Sequence, residues 1–185
     1  MKHAIVFLSL GIILSLQIAF IAYNQNESLR NNNKDKNNII EQLILERDSL
    51  ILILDSLPLG YPLDSIKISE EFGIRRHPIT KRWRQHSGVD LAGTYMDTIY
   101  AVGSGIVIKA GRYRGYGRCV IIKHKEGYES LYGHMNKVFV KKGNKIKDKD
   151  PIGTVGSTGF STGTHLHYEI SRNGKFTDPK HYLNN

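Results

Sequence analysis

The chain has 185 residues, 40% of them apolar and 23% charged, which excludes both a multi-span membrane protein and a wholly disordered chain. Its single cysteine, Cys119, excludes an intramolecular disulfide framework and any site built from several cysteines. The formal net charge of +9 is uneven: residues 1–60 carry five bases and six acids, leaving 21 bases and 11 acids, net +10, in residues 61–185. An anionic partner is therefore sought in the C-terminal part.

Residues 4–22 are almost wholly apolar, interrupted only by Ser9, Gly11, Ser15 and Gln17. As a helix they reach ~28 Å, about one hydrocarbon core. A cleaved signal peptide would carry a shorter apolar run ending in an A-x-A-like pattern, and Phe20 stands where the first small residue belongs. The expectation is an uncleaved transmembrane anchor over residues 1–23. Lys2 on one side and Arg30, Lys34 and Lys36 on the other leave its orientation undecided by charge. Residues 24–38, rich in Asn, Lys and Asp, read as a flexible polar linker. Residues 39–57 turn apolar again and predict a helix ended by Pro58 and Gly60. Ile40, Leu43, Leu50, Leu54 and Leu57 fall on a/d heptad positions, with Arg47 breaking the seam. Two readings stay open: a short coiled coil that self-associates weakly, or a helix whose apolar side packs on the next domain or a membrane surface.

From residue 58 onward the pattern changes to short β-branched or aromatic runs at 97–102, 105–110, 118–124, 128–132, 138–140 and 165–171, separated by glycines. This predicts a mainly β fold, an antiparallel sheet or sandwich occupying residues 58–185. No phosphate-binding glycine loop, dinucleotide fingerprint or G-x-S-x-G elbow occurs. Neither a helix-turn-helix pattern nor an RNA-binding aromatic motif accompanies the basic charge, so no nucleic-acid partner is expected.

Two segments carry candidate chemistry. In H-S-G-V-D (86–90), a single strand would place His86 and Asp90 on one face, with Gly88 leaving room for a bound atom. In H-L-H-Y-E-I (165–170), His165, His167 and Glu169 alternate with Leu166, Tyr168 and Ile170, the pattern of a half-buried strand with two imidazoles on its polar face. Together they favour zinc held by two histidines and an aspartate with a fourth position open, which is a hydrolase site. The helical H-E-x-x-H motif is absent. His77, His124 and His181 read as structural or solvated, and Cys119 as a small buried hydrophobe. Glu169 reads as a residue that orients an imidazole; for Arg75, lining the site and simple surface charge are both open.

With these residues in view, the segment 59–183 resembles the lysostaphin-type, or LytM-like, zinc metallopeptidases that cut peptide bonds in bacterial peptidoglycan. E-F-G-I-R-R-H-P (71–78) is similar to the family's F-G-x-R-x-H-P, and H-S-G-V-D-L-A (86–92) to its H-x-G-x-D-x-A. L-Y-G-H (131–134) is similar to its Y-x-H, and G-S-T-G-F-S-T-G-T-H-L-H-Y-E (156–169) to its G-x-T-G-x-S-T-G-x-H-x-H-x-E. The resemblance implies one zinc ion bound by His86, Asp90 and His167, with His134 and His165 as a catalytic pair. The sequence departs from the pattern at Thr164, where proline is usual, and in A-G-T-Y-M-D (92–97), which lacks the usual proline. The implied function is a zinc metalloendopeptidase acting on stem peptides or cross-links of peptidoglycan; the alternative is a zinc-binding, non-cleaving scaffold that activates or recruits another wall hydrolase. A wall substrate implies a single-pass protein of the cytoplasmic membrane with its C-terminal domain on the outer side.

Overall fold

Glycines and turns cut the C-terminal part into strands too short to stand alone, and their pairing supplies the architecture. The structure, a computed structural model, describes residues 14–19, 21, 33–76 and 81–183. It divides into two units, 1–51 and 52–185.

In the first unit, residues 14–19 and 21 are helical, with Leu14, Leu16, Ile18 and Ile21 exposed. Among the described residues no helix is long and apolar enough to cross a membrane. Most of the expected anchor at 1–23 lies outside the described residues. Helix α1 spans Asn33–Leu54, and corrects the sequence expectation at both ends. It begins inside the segment read as linker, because extending an existing helix fixes one residue per hydrogen bond gained, and polar residues can follow. It stops three residues short of Leu57: Ser56 donates its backbone N–H (3.0 Å) and its Oγ–H (2.8 Å) to the Ile53 carbonyl, closing the last turn ahead of Pro58.

In chain order the strands are β1 (Ile68–Glu70), β2 (Gly73–Arg76), β3 (Trp83–His86), β4 (Val89–Ala92), β5 (Thr98–Tyr100), β6 (Gly105–Arg112) and β7 (Arg118–Lys123). There follow β8 (Tyr128–Met135), β9 (Lys137–Val138), β10 (Lys145–Ile146), β11 (Pro151–Thr154), β12 (His165–Arg172) and β13 (Lys175–Thr177). An eight-stranded sheet runs β1-β4-β12-β8-β7-β6-β10, with β13 also on β12; β5-β11-β9 form a second sheet and β2-β3 a two-stranded ribbon. Every pairing is antiparallel. The domain is thus mainly β, as its alternating runs imply. Strands β1 to β4, β10, β11 and β13 were not legible as runs, being two to four residues long.

Alternation then sorts the large sheet into two faces. Val89 and Leu91 of β4, Leu166, Tyr168 and Ile170 of β12, Tyr132 of β8 and Val120 and Ile122 of β7 point inward and are fully buried. They share one core with Ile99, Ile152 and Val155 from the second sheet and the segment after it. Burying each such side chain contributes roughly 1.5–3 kcal/mol. The other face of β4, β12 and β8 is left for polar residues, and there the candidate site is built.

Candidate active site

Three neighbouring strands bring the candidate ligands into one row. The register sets His167 opposite Asp90 on β4 and opposite Gly133 on β8. Gly133 contributes no side chain, and the rings of His167 and Tyr116 pack over it: a Cβ there would meet His167 Cβ at 3.3 Å and Tyr116 Cδ1 at 3.5 Å. His86 arrives differently from the sequence expectation. It ends β3 in the two-stranded ribbon, Asp90 lies on β4 of the large sheet, and the chain bends between them at Ser87 and Gly88. Shared alternation on one strand is therefore not what aligns them. Gly88 also has another purpose than room for a bound atom: a Cβ there would overlap the Tyr168 carbonyl and meet Glu169 Cγ at 2.8 Å. Only glycine lets this bend lie against β12.

Ligand atoms of His86, Asp90 and His167 all fall within 4.8 Å of one another, and all three residues are buried. His86 Nε2 lies 3.2 Å from Asp90 Oδ1 and 3.1 Å from His167 Nδ1, which is itself 2.8 Å from Asp90 Oδ1. The opposite ring nitrogens decide what these atoms are. His86 Nδ1 is 2.7 Å from the Glu71 carbonyl oxygen, and His167 Nε2 is 2.9 Å from Glu169 Oε1. Neither oxygen carries a proton to give, so each of those nitrogens is the N–H donor. With both rings neutral, the atoms facing inward are two imidazole lone pairs and a carboxylate oxygen. Three acceptors about 3 Å apart repel unless a cation lies among them, so the donor set fits a metal ion.

The charges agree. Burial opposes ionisation of Asp90, but hydrogen bonds from His167 and His86 hold its carboxyl far below the usual range. Burial likewise opposes a charged His167, yet Asp90 and Glu169 outweigh it and raise the imidazole to about 9. Without a metal, a proton takes the place of the cation. Asp90 Oδ2 is engaged separately by Arg75 Nη2 at 3.2 Å, which leaves Oδ1 for the cluster. Of the two readings open for Arg75, the structure selects the one lining the site.

His134 reaches the cluster through a β-bulge. Arg118 pairs with Met135 and Val120 with Tyr132, so Cys119 alone opposes both Gly133 and His134. Simple alternation from Tyr132 would turn His134 into the core. Instead its backbone takes a left-handed φ of 58°, and its ring stands 4.8 Å from that of His165 and 5.7 Å from that of His167. Such a conformation costs of order 1–3 kcal/mol in a residue with a Cβ. His134 Nδ1 donates to the Thr158 carbonyl at 2.7 Å, leaving the Nε2 lone pair available. Burial, aided by the neighbouring imidazoles, pushes its pKa down to about 4, so the ring is neutral at pH 7. His165 Nδ1 donates to the Gly163 carbonyl at 2.9 Å, and its Nε2 lies 3.7 Å from Asp90 Oδ1.

Two further residues complete the arrangement. Ser87 Oγ and Tyr116 Oη (2.9 Å) both donate to Glu169 Oε1, the oxygen that receives the His167 proton donor. Glu169, 2% exposed, is therefore held as an anion behind a candidate ligand. Tyr116 was not singled out by sequence; the flanking Gly115 and Gly117 are its one signal, since Gly117 has φ 68° and packs against Thr158. Of the remaining histidines, His124 is buried and hydrogen-bonded, and His77 lies outside the described residues. Cys119 is fully buried. The cluster lines a cleft of about 290 Å³ together with Arg75 and Arg84 of the ribbon, Tyr116, Phe160 and Thr162.

Comparison with known proteins gives the same direction. The family model described as peptidase family M23 matches residues 84–179. A DD-carboxypeptidase/endopeptidase, Mpg, of Neisseria meningitidis is 43% identical over 118 residues, covering 64% of this chain and 27% of that protein. The peptidoglycan DD-endopeptidase ShyA of Vibrio cholerae is 41% identical over 117 residues, 62% of this chain and 27% of that protein. The chain thus spans about a quarter of the length of these relatives. Among solved structures, a zinc-containing peptidase from Vibrio cholerae superimposes with a TM-score of 0.60 at 35% identity, covering 64% of this chain and 37% of the other. The catalytic domain of lysostaphin from Staphylococcus simulans does so with a TM-score of 0.56 at 30% identity, over 62% of this chain and 90% of that domain.

Proposed function

Since the chain belongs to peptidase family M23, we propose that it is a zinc-dependent endopeptidase hydrolysing peptide bonds in the stem peptides or cross-links of bacterial peptidoglycan. The observation that carries this reading is the convergence of three buried ligand atoms, His86 Nε2, Asp90 Oδ1 and His167 Nδ1, beside a neutral imidazole with a free lone pair. His86, Asp90 and His167 would hold one zinc ion. Bound there, zinc supplies Lewis acidity to a scissile carbonyl and to water. Relatives named for DD-endopeptidase activity support peptidoglycan as the substrate.

The chain's own residues divide the remaining work. Glu71 and Glu169 fix the orientation of the His86 and His167 rings through their second nitrogens. His134, neutral and anchored by Thr158, presents Nε2 as a proton acceptor at neutral pH. His165, steadied by Gly163, presents the second Nε2 of the pair towards the cleft, suited to steady developing charge or return a proton to the leaving amine. A non-cleaving scaffold would have no use for an imidazole kept in a costly left-handed backbone. On this reading the domain works on the outer side of the cytoplasmic membrane, tethered by the apolar segment 4–22.

Isolated peptidoglycan incubated with the purified protein should yield new peptide ends by mass spectrometry. A chelator should abolish their release. His134→Ala should abolish it too while the protein still binds about one zinc. Absence of release across a range of zinc and pH would establish the scaffold instead. A C-terminal tag protected from external protease would refute the topology.

A further inference from the structure

The β2–β3 ribbon forms one wall of the cleft, and its register sorts its side chains. Gly73 pairs with His86 and Arg75 with Arg84, so these four share one face of the ribbon, and Arg75, Arg84 and His86 line the cleft, as does the neighbouring Gln85. Ile74 and Trp83, about three-quarters exposed, belong to the opposite face. Two guanidinium groups therefore stand directly across from each other on paired strands, where like charges repel. Arg75 is compensated within the protein by Asp90 Oδ2 at 3.2 Å and Glu70 Oε2 at 3.6 Å. Arg84 is exposed, lines the cleft, and makes no ion pair or hydrogen bond among the described residues. Arg76, Lys81 and Arg82 add positive charge to the same ribbon and its connection. A cleft that faces an uncompensated arginine inward is prepared for an anion.

Resting on the peptidase reading above, we propose that Arg84 is a specificity-determining residue that binds a carboxylate of the peptide substrate close to the bond being cut. The anionic groups of a peptide are carboxylates, and the planar guanidinium fork matches one with two parallel hydrogen bonds. Arg84 and His86 are two positions apart on β3, about 7 Å along the strand. The side chain's own length then places the carboxylate within one or two residues of the scissile bond. Either a free C-terminus or a side-chain carboxylate supplies this chemistry.

The test uses synthetic cross-linked peptides in three forms: all carboxylates free, the C-terminus amidated, and the side-chain carboxylate amidated. For the full zinc-loaded chain, Arg84→Gln should lower kcat/KM on the free form by about 10- to 100-fold, mainly through KM. Arg84→Lys should recover part of the loss, with metal content and circular dichroism unchanged. Amidation at one of the two positions should lower the parent's kcat/KM by a similar factor, and Arg84→Gln should then be indifferent to that amidation. The sensitive position names the source of the carboxylate. If parent and Arg84→Gln discriminate equally among the three forms, the proposal is overturned. If the parent cuts none of them, the peptidase reading fails by itself, and calorimetric binding decides the subsite. Preference for the free over the amidated peptide, lost in Arg84→Gln, sustains it; equal binding overturns it.

Discussion

Two buried imidazoles, one on the cleft face of the large sheet and one just beyond the end of β7, behave in opposite ways. His167, on the cleft face, sits between Asp90 Oδ1 at 2.8 Å and Glu169 Oε1 at 2.9 Å, and its pKa is raised to about 9. His124, beyond the end of β7, lies between the Ser104 carbonyl at 2.9 Å and the Ser130 hydroxyl at 2.8 Å. Burial lowers its pKa, and the hydrogen bond to Ser104 and the charge of Asp148 only partly oppose this. The Ser130 hydroxyl continues to that of Tyr132, 3.1 Å away, which accepts from the Val102 N–H at 3.0 Å. Burial by itself favours the neutral ring in both places. What differs is the partners: anionic carboxylates on one side, neutral hydroxyls and carbonyls on the other. The cleft face is a cradle for positive charge, and the core network is closed without any.

The largest effect is expected where the cleft's neutral imidazole is removed. His134→Ala should lower kcat by about 10²–10⁴ in the peptidoglycan assay while zinc content, read by atomic absorption, stays near one. Next, Gly88→Ala forces a Cβ against the Tyr168 carbonyl, which has no room to yield. It should cost about 3 kcal/mol in urea unfolding and separate the ribbon from β12. The comparison itself is probed most directly by Glu169→Gln, which replaces one anionic partner of His167 by a neutral one. Zinc affinity should fall about 10- to 100-fold by competition with a chromophoric chelator. An unchanged affinity would show that Asp90 alone makes the cradle.

The smallest effect belongs to His124 and is one of pH. Its folded pKa lies below the unfolded 6.5, so on acidification the unfolded chain takes up the proton first. Stability from this group is complete above about pH 6.5 and is lost as pH falls towards the folded pKa, at no more than about 1.4 kcal/mol per unit. Thermal melts of the parent and His124→Gln between pH 7 and 5 should show the parent falling faster, so that their Tm difference narrows. Parallel lines would mean that His124 takes up its proton at the same pH in the folded and the unfolded chain.

Much of the sheet follows from local rules and could be read directly. Strict alternation along 165–171 suffices to send Leu166, Tyr168 and Ile170 into the core and His165, His167 and Glu169 to the other face, because side-chain direction in a strand is set by the strand alone. The glycine-bounded runs mark the longer strands for the same reason. Short strands such as β2, β4 and β11 carry too few residues for a period, and acquire their identity only by pairing. His134 shows the limit most clearly. Alternation from Tyr132 turns it into the core, and only the unequal pairing of β7 with β8 rotates it into the cleft, a property of two strands distant in sequence. The tautomers of His86 and His167 depend on oxygens of Glu71 and Glu169, and Arg84 acquires its inward aim from pairing with Arg75. Residue types and their order were determined by the sequence by itself. Which atoms face one another, and with which charge, was decided by tertiary structure, since lone pairs and carboxylates interact through space and not along the chain.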